Sequence, residues 1–181
     1  MMKKNILLLV LAAAFSNCNA QKKPIMTSEV TTVQTNDMLV GKHDKKALLK
    51  IPYKLWFQPN YENYKPNTAT LSELKKHTEG VTVTVFMGTW CEDSQHRLPE
   101  FYKVLDAIGF DTEKVTLIMV DKSKTTPEKF ENGLNITNVP TFIFYKNGKE
   151  LHRIVESFME SAEKDMLKIL SGQPYKHAYE N

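Results

Sequence analysis

Cysteine is nearly absent from this chain: two residues in 181, Cys18 and Cys91. That excludes a disulfide-stapled scaffold and a structural metal centre built on several thiolates. Glycine is also sparse, at seven residues, and no repeat is visible, so collagen-like and low-complexity classes fall away. A strong charge of either sign is lacking too. The formal net charge is +3, and removing residues 1–20, which carry Lys3 and Lys4 but no acid, leaves +1. Such a balance argues against nucleic acid or an anionic membrane as a main partner. The apolar run at 6–15 is too short to span a bilayer. What is present is an ordinary globular composition, 41% hydrophobic and 25% charged, long enough for one domain with its own core.

The first residues, MMKKNILLLVLAAAFSNCNA, read as an export signal. Lys3 and Lys4 make the charged start, residues 6–15 the apolar stretch, and Cys18-Asn19-Ala20 a cleavage site before Gln21. The alternative is a lipoprotein signal in which Cys18 is acylated and retained, tethering the protein to a membrane. Asn17 fits that pattern poorly. With cleavage after Ala20 the mature protein keeps a single thiol, Cys91, and forms no internal disulfide.

Residues 21–67 read as a partly flexible N-terminal extension. Its first part, 21–37, is polar with little periodicity. Tyr53, Trp56 and Phe57 follow at helical spacing, then Tyr61 and Tyr64, as aromatics packed onto the domain or lining a groove. The periodic part spans 68–172, with a tail at 173–181. Residues 70–77 read as a short helix and 81–87 as an alternating strand. Residues 91–109 read as a long helix with Leu98, Phe101, Leu105 and Ile108 on one face. A strand at 114–121 is apolar on both faces. A short helix is expected over 126–131, and strands at 141–145 and 150–155 flank Asn147-Gly148, a tight hairpin turn. The last helix is capped by Ser161, or by Ser157 with Glu160, and stops at Gly172. This order predicts an α/β fold, a mixed four- to five-stranded sheet with helices on both faces.

Three local features carry a resemblance. Trp90-Cys91 follows a hydrophobic strand and opens a helix; Pro99 lies eight residues beyond the cysteine; Asn138-Val139-Pro140-Thr141 precedes the hairpin. In this order and spacing the chain resembles the thioredoxin superfamily, specifically exported bacterial thioredoxin-like proteins with an N-terminal extension. The resemblance implies a thioredoxin fold with a cis proline at Pro140. There are two departures. Ser94 stands where the resolving cysteine would be, making a Cys-x-x-Ser site. Val85 stands where relatives often bury a proton-handling acid.

Thiol–disulfide exchange needs a thiolate. A helix start favours a negative sulfur at Cys91 through its free N–H groups and dipole. Ser94, one turn on, has a hydroxyl that can be aimed at that sulfur. Glu92 and Asp93 oppose the thiolate unless they face solvent. By resemblance, Val139 and Pro140 present main chain to an extended substrate, and Trp90 borders the site or fills the core. His96, five residues after Cys91, falls about 140° around the helix at about 100° per residue, away from the cysteine's face. The other histidines are scattered, so no metal site and no cofactor are expected.

Cys91 and Ser94 are thus the expected catalytic pair, with Trp90, Val139 and Pro140 as substrate-binding residues. The expected partners are protein or low-molecular-weight disulfides and thiols, with an external reductant protein, and a membrane only if Cys18 is lipidated. Without a resolving cysteine the mixed disulfide must be released by an outside thiol, which favours isomerisation or adduct exchange. A non-catalytic module binding a partner peptide is the alternative, since fold does not fix function. Thiol peroxidase chemistry at Cys91 is the third reading, and the sequence speaks against it by setting no arginine or threonine visibly near the sulfur: Arg97 lies six residues along the helix, and the sequence gives Thr89 no defined direction.

Overall fold

The structure, a computed structural model, describes residues 38–180. The expected export segment, Cys18 and the lead-in at 21–37 lie outside the described residues.

Alternation in VTVTVFM makes 81–87 a strand whose odd positions, Val81, Val83, Val85 and Met87, face one side and Phe86 the other. Around it the elements run β1 (Gly41–His43), α1 (Lys45–Leu48), α2 (Lys54–Asn63), α3 (Thr68–Lys75), β2 (Val81–Met87), α4 (Glu92–Ile108), a short 3-10 turn at 112–114, β3 (Val115–Met119), β4 (Thr141–Lys146), β5 (Lys149–Val155) and α5 (Ala162–Ser171). The five strands are ordered β1-β3-β2-β4-β5. β2 and β3 are parallel, and the remaining pairs antiparallel, so the sheet is mixed as expected.

Two hydrophobic clusters sit on opposite faces of this sheet. The larger joins the odd face of β2 with Leu117, Met119, Phe142, Phe144 and Ile154 to Phe57 of α2, Leu74 of α3, the Leu98–Ile108 face of α4, and Met166 and Ile169 of α5. Each fully buried Leu or Phe there contributes about 1.5–3 kcal/mol by leaving water. The smaller cluster holds Phe86, Ile118, Val120, Val139 and Ile143, with Trp90, Cys91, Leu134 and Ile136 packed against it. β3 is therefore buried on both faces, as its unbroken apolar run implies.

The smaller cluster is covered by the connection between β3 and β4. The helix expected at 126–131 is absent there; the segment is a series of turns. Local side-chain bonds outcompete the helix ladder. The Glu131 carboxylate accepts from the Thr126 N–H (3.1 Å) and hydroxyl (2.8 Å), Thr126 Oγ1 accepts from the Phe130 N–H (3.0 Å), and Lys129 takes a left-handed φ of 59°.

Residues 38–67 are built into the same sheet and core. β1 pairs with β3 at its edge, and α2 lies on α4, where Phe57 stacks on Tyr61 and tilts against Tyr102. Tyr64 pins the α2–α3 connection to α5: its hydroxyl donates to Glu163 (2.6 Å) and accepts from the Ala162 N–H (3.1 Å). Burial raises the Glu163 carboxyl, but the Tyr64 hydroxyl and backbone N–H donors outweigh it and hold the group below its usual range. α3 begins at Thr68, earlier than expected, because Asn67 caps it by accepting from the Thr70 N–H (3.0 Å). At the other end of the chain, Ser161 caps α5 and Gly172 ends it at φ 76°.

Candidate active site

β2 delivers the chain to Gly88, and α4 starts four residues later. The turn between them carries Thr89, Trp90 and Cys91. Cys91 is the N-cap residue of α4, with extended backbone (φ −92°, ψ 123°). Its N–H donates to Gly88 O and its carbonyl accepts from Gln95 N–H, both at 3.0 Å. Cys91 is a free, partly exposed residue, and its thiol donates to Val139 O at 3.2 Å. The Val139–Pro140 peptide bond is cis. Main chain of that turn, which leads into β4 beside β2, thus stands directly on the sulfur.

Of the five residues expected at the site, Trp90, Cys91 and Val139 meet in the smaller cluster, and Pro140 adjoins them. Ser94 is nearby in sequence but differently employed. It is fully buried, and its Oγ accepts the Gly88 N–H at 3.2 Å, tying the approach to the cysteine onto the first turn of α4. Trp90 is half-buried; its Nε1–H donates to Val120 O (3.0 Å) at the end of β3. Its ring lies across Gly88 so closely that a Cβ there would fall 2.6 Å from Trp90 Cε2. Only glycine fits under the indole.

The turn is also held from the extension side. Gln95 Nε2–H donates to Thr89 O (2.8 Å), and Asn60 of α2 donates to Gln95 O (3.1 Å). Thr89 Oγ1 accepts the Leu39 N–H (3.3 Å), from the residues leading into β1. Gly88, Gln95 and Asn60 were not singled out from the sequence, and Thr89 was weighed there only for peroxide chemistry. Gly88 had a legible signal, a glycine between a strand end and a tryptophan, whereas Asn60 lies 35 residues from Gln95 and had none.

His96 is exposed and faces Asn60 Oδ1 (3.2 Å), not the sulfur. Glu92 is exposed on the first turn of α4 and Asp93 partly so. The two residues considered for peroxide chemistry are occupied elsewhere: Thr89 by Leu39, and Arg97 by Glu100 (3.0 Å) and the Phe158 ring (5.8 Å). Val85, in the place of a buried acid, is sealed in the larger cluster. Among the described residues no group of three or more His, Cys, Asp or Glu side chains is arranged to hold a metal ion, and no helix is long and apolar enough to cross a membrane.

Comparison with known proteins agrees with this fold. Thioredoxin Y, chloroplastic, from Oryza sativa subsp. japonica is 32% identical over 89 residues, covering 49% of this chain and 50% of that protein. Thioredoxin H2 from Arabidopsis thaliana is 29% identical over 94 residues, covering 52% of this chain and 66% of that one. The chain therefore spans half to two-thirds of the length of these relatives. A crystal structure of a protein of unknown function from Pseudomonas aeruginosa shares the fold, with a TM-score of 0.54 at 17% identity over 72% of this chain and 93% of that one. The family model for thioredoxin matches residues 65–170, more than half of the sequence. The chain belongs to the thioredoxin family.

Proposed function

We propose that this protein is an exported, single-cysteine thioredoxin-fold protein that exchanges thiols and disulfides through Cys91. The observation carrying this reading is the free, partly exposed Cys91 at the start of α4, with its sulfur 3.2 Å from the Val139 carbonyl. A helix start is where a sulfur is best able to act as a nucleophile. The turn beside it offers main chain to an extended substrate, once the thiol yields the Val139 carbonyl. Export rests on residues 1–20 of the sequence.

The steps balance as follows. Cys91 gives up its proton, and its thiolate attacks one sulfur of a substrate R–S–S–R′. The Cys91–S–S–R bond forms while R′–S⁻ leaves and takes up a proton. A second thiolate, on the same substrate, a small thiol or a reductant protein, then attacks the R sulfur and expels Cys91 as thiolate. No electrons are gained or lost overall when the second thiol is the substrate's own, so the result is isomerisation. When it is a small thiol, the adduct is exchanged. Ser94 cannot perform the second step, because a hydroxyl is neither a comparable nucleophile toward disulfide sulfur nor, here, free of the Gly88 N–H.

The competing reading is a non-catalytic peptide-binding module. It is favoured by the same Val139 carbonyl, which the thiol itself occupies. Refolding of a scrambled-disulfide substrate in a glutathione buffer separates the two. Exchange by the wild type that Cys91→Ala abolishes supports the enzyme; equal rates, with retained affinity for the substrate, support the module.

A further inference from the structure

The chain after α5 reads in sequence as a polar tail, yet residues 173–180 are pinned along the molecule at several points. Tyr175 hydroxyl donates to Asp165 (3.1 Å), a fully buried carboxylate that also accepts from the Met159 (2.6 Å) and Glu160 (3.1 Å) N–H groups. The Tyr175 ring stands edge-on to His152 of β5, with centroids 5.2 Å apart. His177 lies 6.2 Å from His152, ring to ring. The Glu180 carboxylate sits between the two imidazoles, 3.4 Å from His152 Nε2 and 3.8 Å from His177 Nε2, and accepts the His177 backbone N–H (2.8 Å).

Tyr179 makes the connection to the site. Its N–H donates to His177 Nδ1 (3.2 Å), and its hydroxyl donates to the Glu156 carboxylate. Glu156, in the left-handed region at φ 65°, donates its own N–H to Pro140 O (2.7 Å). Pro140 follows Val139, whose carbonyl holds the Cys91 thiol. An unbroken path of short contacts runs from the tail to the sulfur.

We propose that residues 173–180 form a pH-sensitive strap, which braces the Val139–Pro140 turn against Cys91 while His177 is neutral and releases it when His177 takes a proton. Only the last link, to Cys91, rests on the function proposed above. The physical reason is the lone pair at Nδ1. A ring nitrogen that accepts an N–H must be unprotonated. A proton there turns the acceptor into a donor facing the Tyr179 N–H, and the bond that closes the turn is lost.

The surroundings act on His177 in both directions. Glu180, on the tail, favours the imidazolium. His152 and Arg153 of β5 oppose it, with Arg153 itself tied to Glu150 (2.8 Å). Glu156 on the loop after β5 faces Tyr179, Asp165 of α5 faces Tyr175, and Lys168 beside it is paired with Glu160. Lys176 is the remaining charge on the strap. Burial is the largest influence and pushes His177 below its ordinary value, with His152 and Arg153 adding to it and Glu180 only partly offsetting it. A histidine depressed in the docked state favours docking above its free value and loses that contribution as pH falls through the lower, docked value.

Amide hydrogen exchange of the whole protein tests this, read at Tyr179 and Glu156 for wild type, His177→Asn and Tyr179→Phe. In wild type the Tyr179 amide is protected near pH 7.5, and its protection factor falls roughly tenfold or more near pH 5. His177→Asn offers a side-chain oxygen that accepts the same N–H and does not titrate, so protection persists at both values. Alkylation of Cys91 is compared as a ratio of Tyr179→Phe to wild type, which cancels ordinary thiol ionisation. That ratio departs from unity by about threefold near pH 7.5 and returns to unity near pH 5. Unchanged Tyr179 protection in wild type, or His177→Asn losing it as wild type does, overturns the strap; a ratio of unity at both values overturns its link to the sulfur. A strap that titrates on a protein without exchange activity refutes the proposed function alone, and exchange activity with an unresponsive strap refutes this inference alone.

Discussion

Replacing Ser94 with alanine separates two roles for its hydroxyl. In the structure Ser94 is 0% exposed, and its Oγ is the acceptor for the Gly88 N–H at 3.2 Å. The thiol of Cys91 is bonded elsewhere, to Val139 O. Removing the hydroxyl strands a buried N–H, and such a loss costs about 1–3 kcal/mol. For a chain of this size each kcal/mol moves Tm by about 2–4 °C, so a fall of roughly 2–12 °C is expected. Exchange through Cys91 should stay within about twofold, because no interaction with the reacting sulfur has been removed. Urea unfolding and the glutathione-buffer exchange assay, run on the same preparations, give both numbers. A variant as stable as wild type whose exchange falls more than about tenfold would mean that the hydroxyl serves the sulfur and that the structural role is wrong.

Ser94→Cys supplies the missing resolving thiol one helical turn from Cys91 and should gain disulfide reductase turnover with a dithiol reductant; no gain means that more than the second cysteine is lacking. Gly88→Ala drives a Cβ to 2.6 Å from the Trp90 ring, and overpacking of this kind costs about 1–3 kcal/mol. It should also shift Trp90 fluorescence, and unchanged emission and stability would contradict the described packing. Tyr64→Phe removes the donor that keeps Glu163 below its usual range. Glu163 stabilises the fold above the ordinary carboxylate value and loses that effect as pH falls through its lowered one, so the variant's deficit should be full near pH 7 and shrink below about pH 4; a deficit independent of pH rejects the coupling. Asp165→Ala leaves the Met159 and Glu160 N–H groups and the Tyr175 hydroxyl without their acceptor. Denaturant unfolding should show a loss of about 2–4 kcal/mol, and a loss under about 0.5 kcal/mol would rule out Asp165 as the acceptor that holds these groups.

The parts of the fold that could be read from sequence are those in which a local pattern and the tertiary environment agree. VTVTVFM alternates and is a strand; Leu98, Phe101, Leu105 and Ile108 share a helix face and are buried; Asn147-Gly148 turns the hairpin with φ of 51° and 80°. Trp90-Cys91 and Pro140 were legible because each stands at the edge of an element. β1 was not, since three residues, GKH, cannot display a period, and its pairing partner Met119 lies 78 positions away in sequence. The turns at 126–131 were missed because the helix-like pattern hides the side-chain bonds of Thr126 and Glu131. Ser94 was correctly placed one turn from the cysteine, but which group its hydroxyl meets depends on how β2 enters α4. The tail was read as lying outside the core because its anchors, Tyr175, His177 and Tyr179, meet Asp165, His152 and Glu156 only in the folded chain.

The central claim is that the Cys91 sulfur is reachable and forms a mixed disulfide that an outside thiol can release. Intact-mass analysis of the folded protein after brief exposure to glutathione disulfide tests this directly. One glutathione adduct at Cys91, forming faster than on the unfolded chain and discharged by added thiol, is the predicted result. A folded protein that stays unlabelled while its unfolded form reacts would contradict the account.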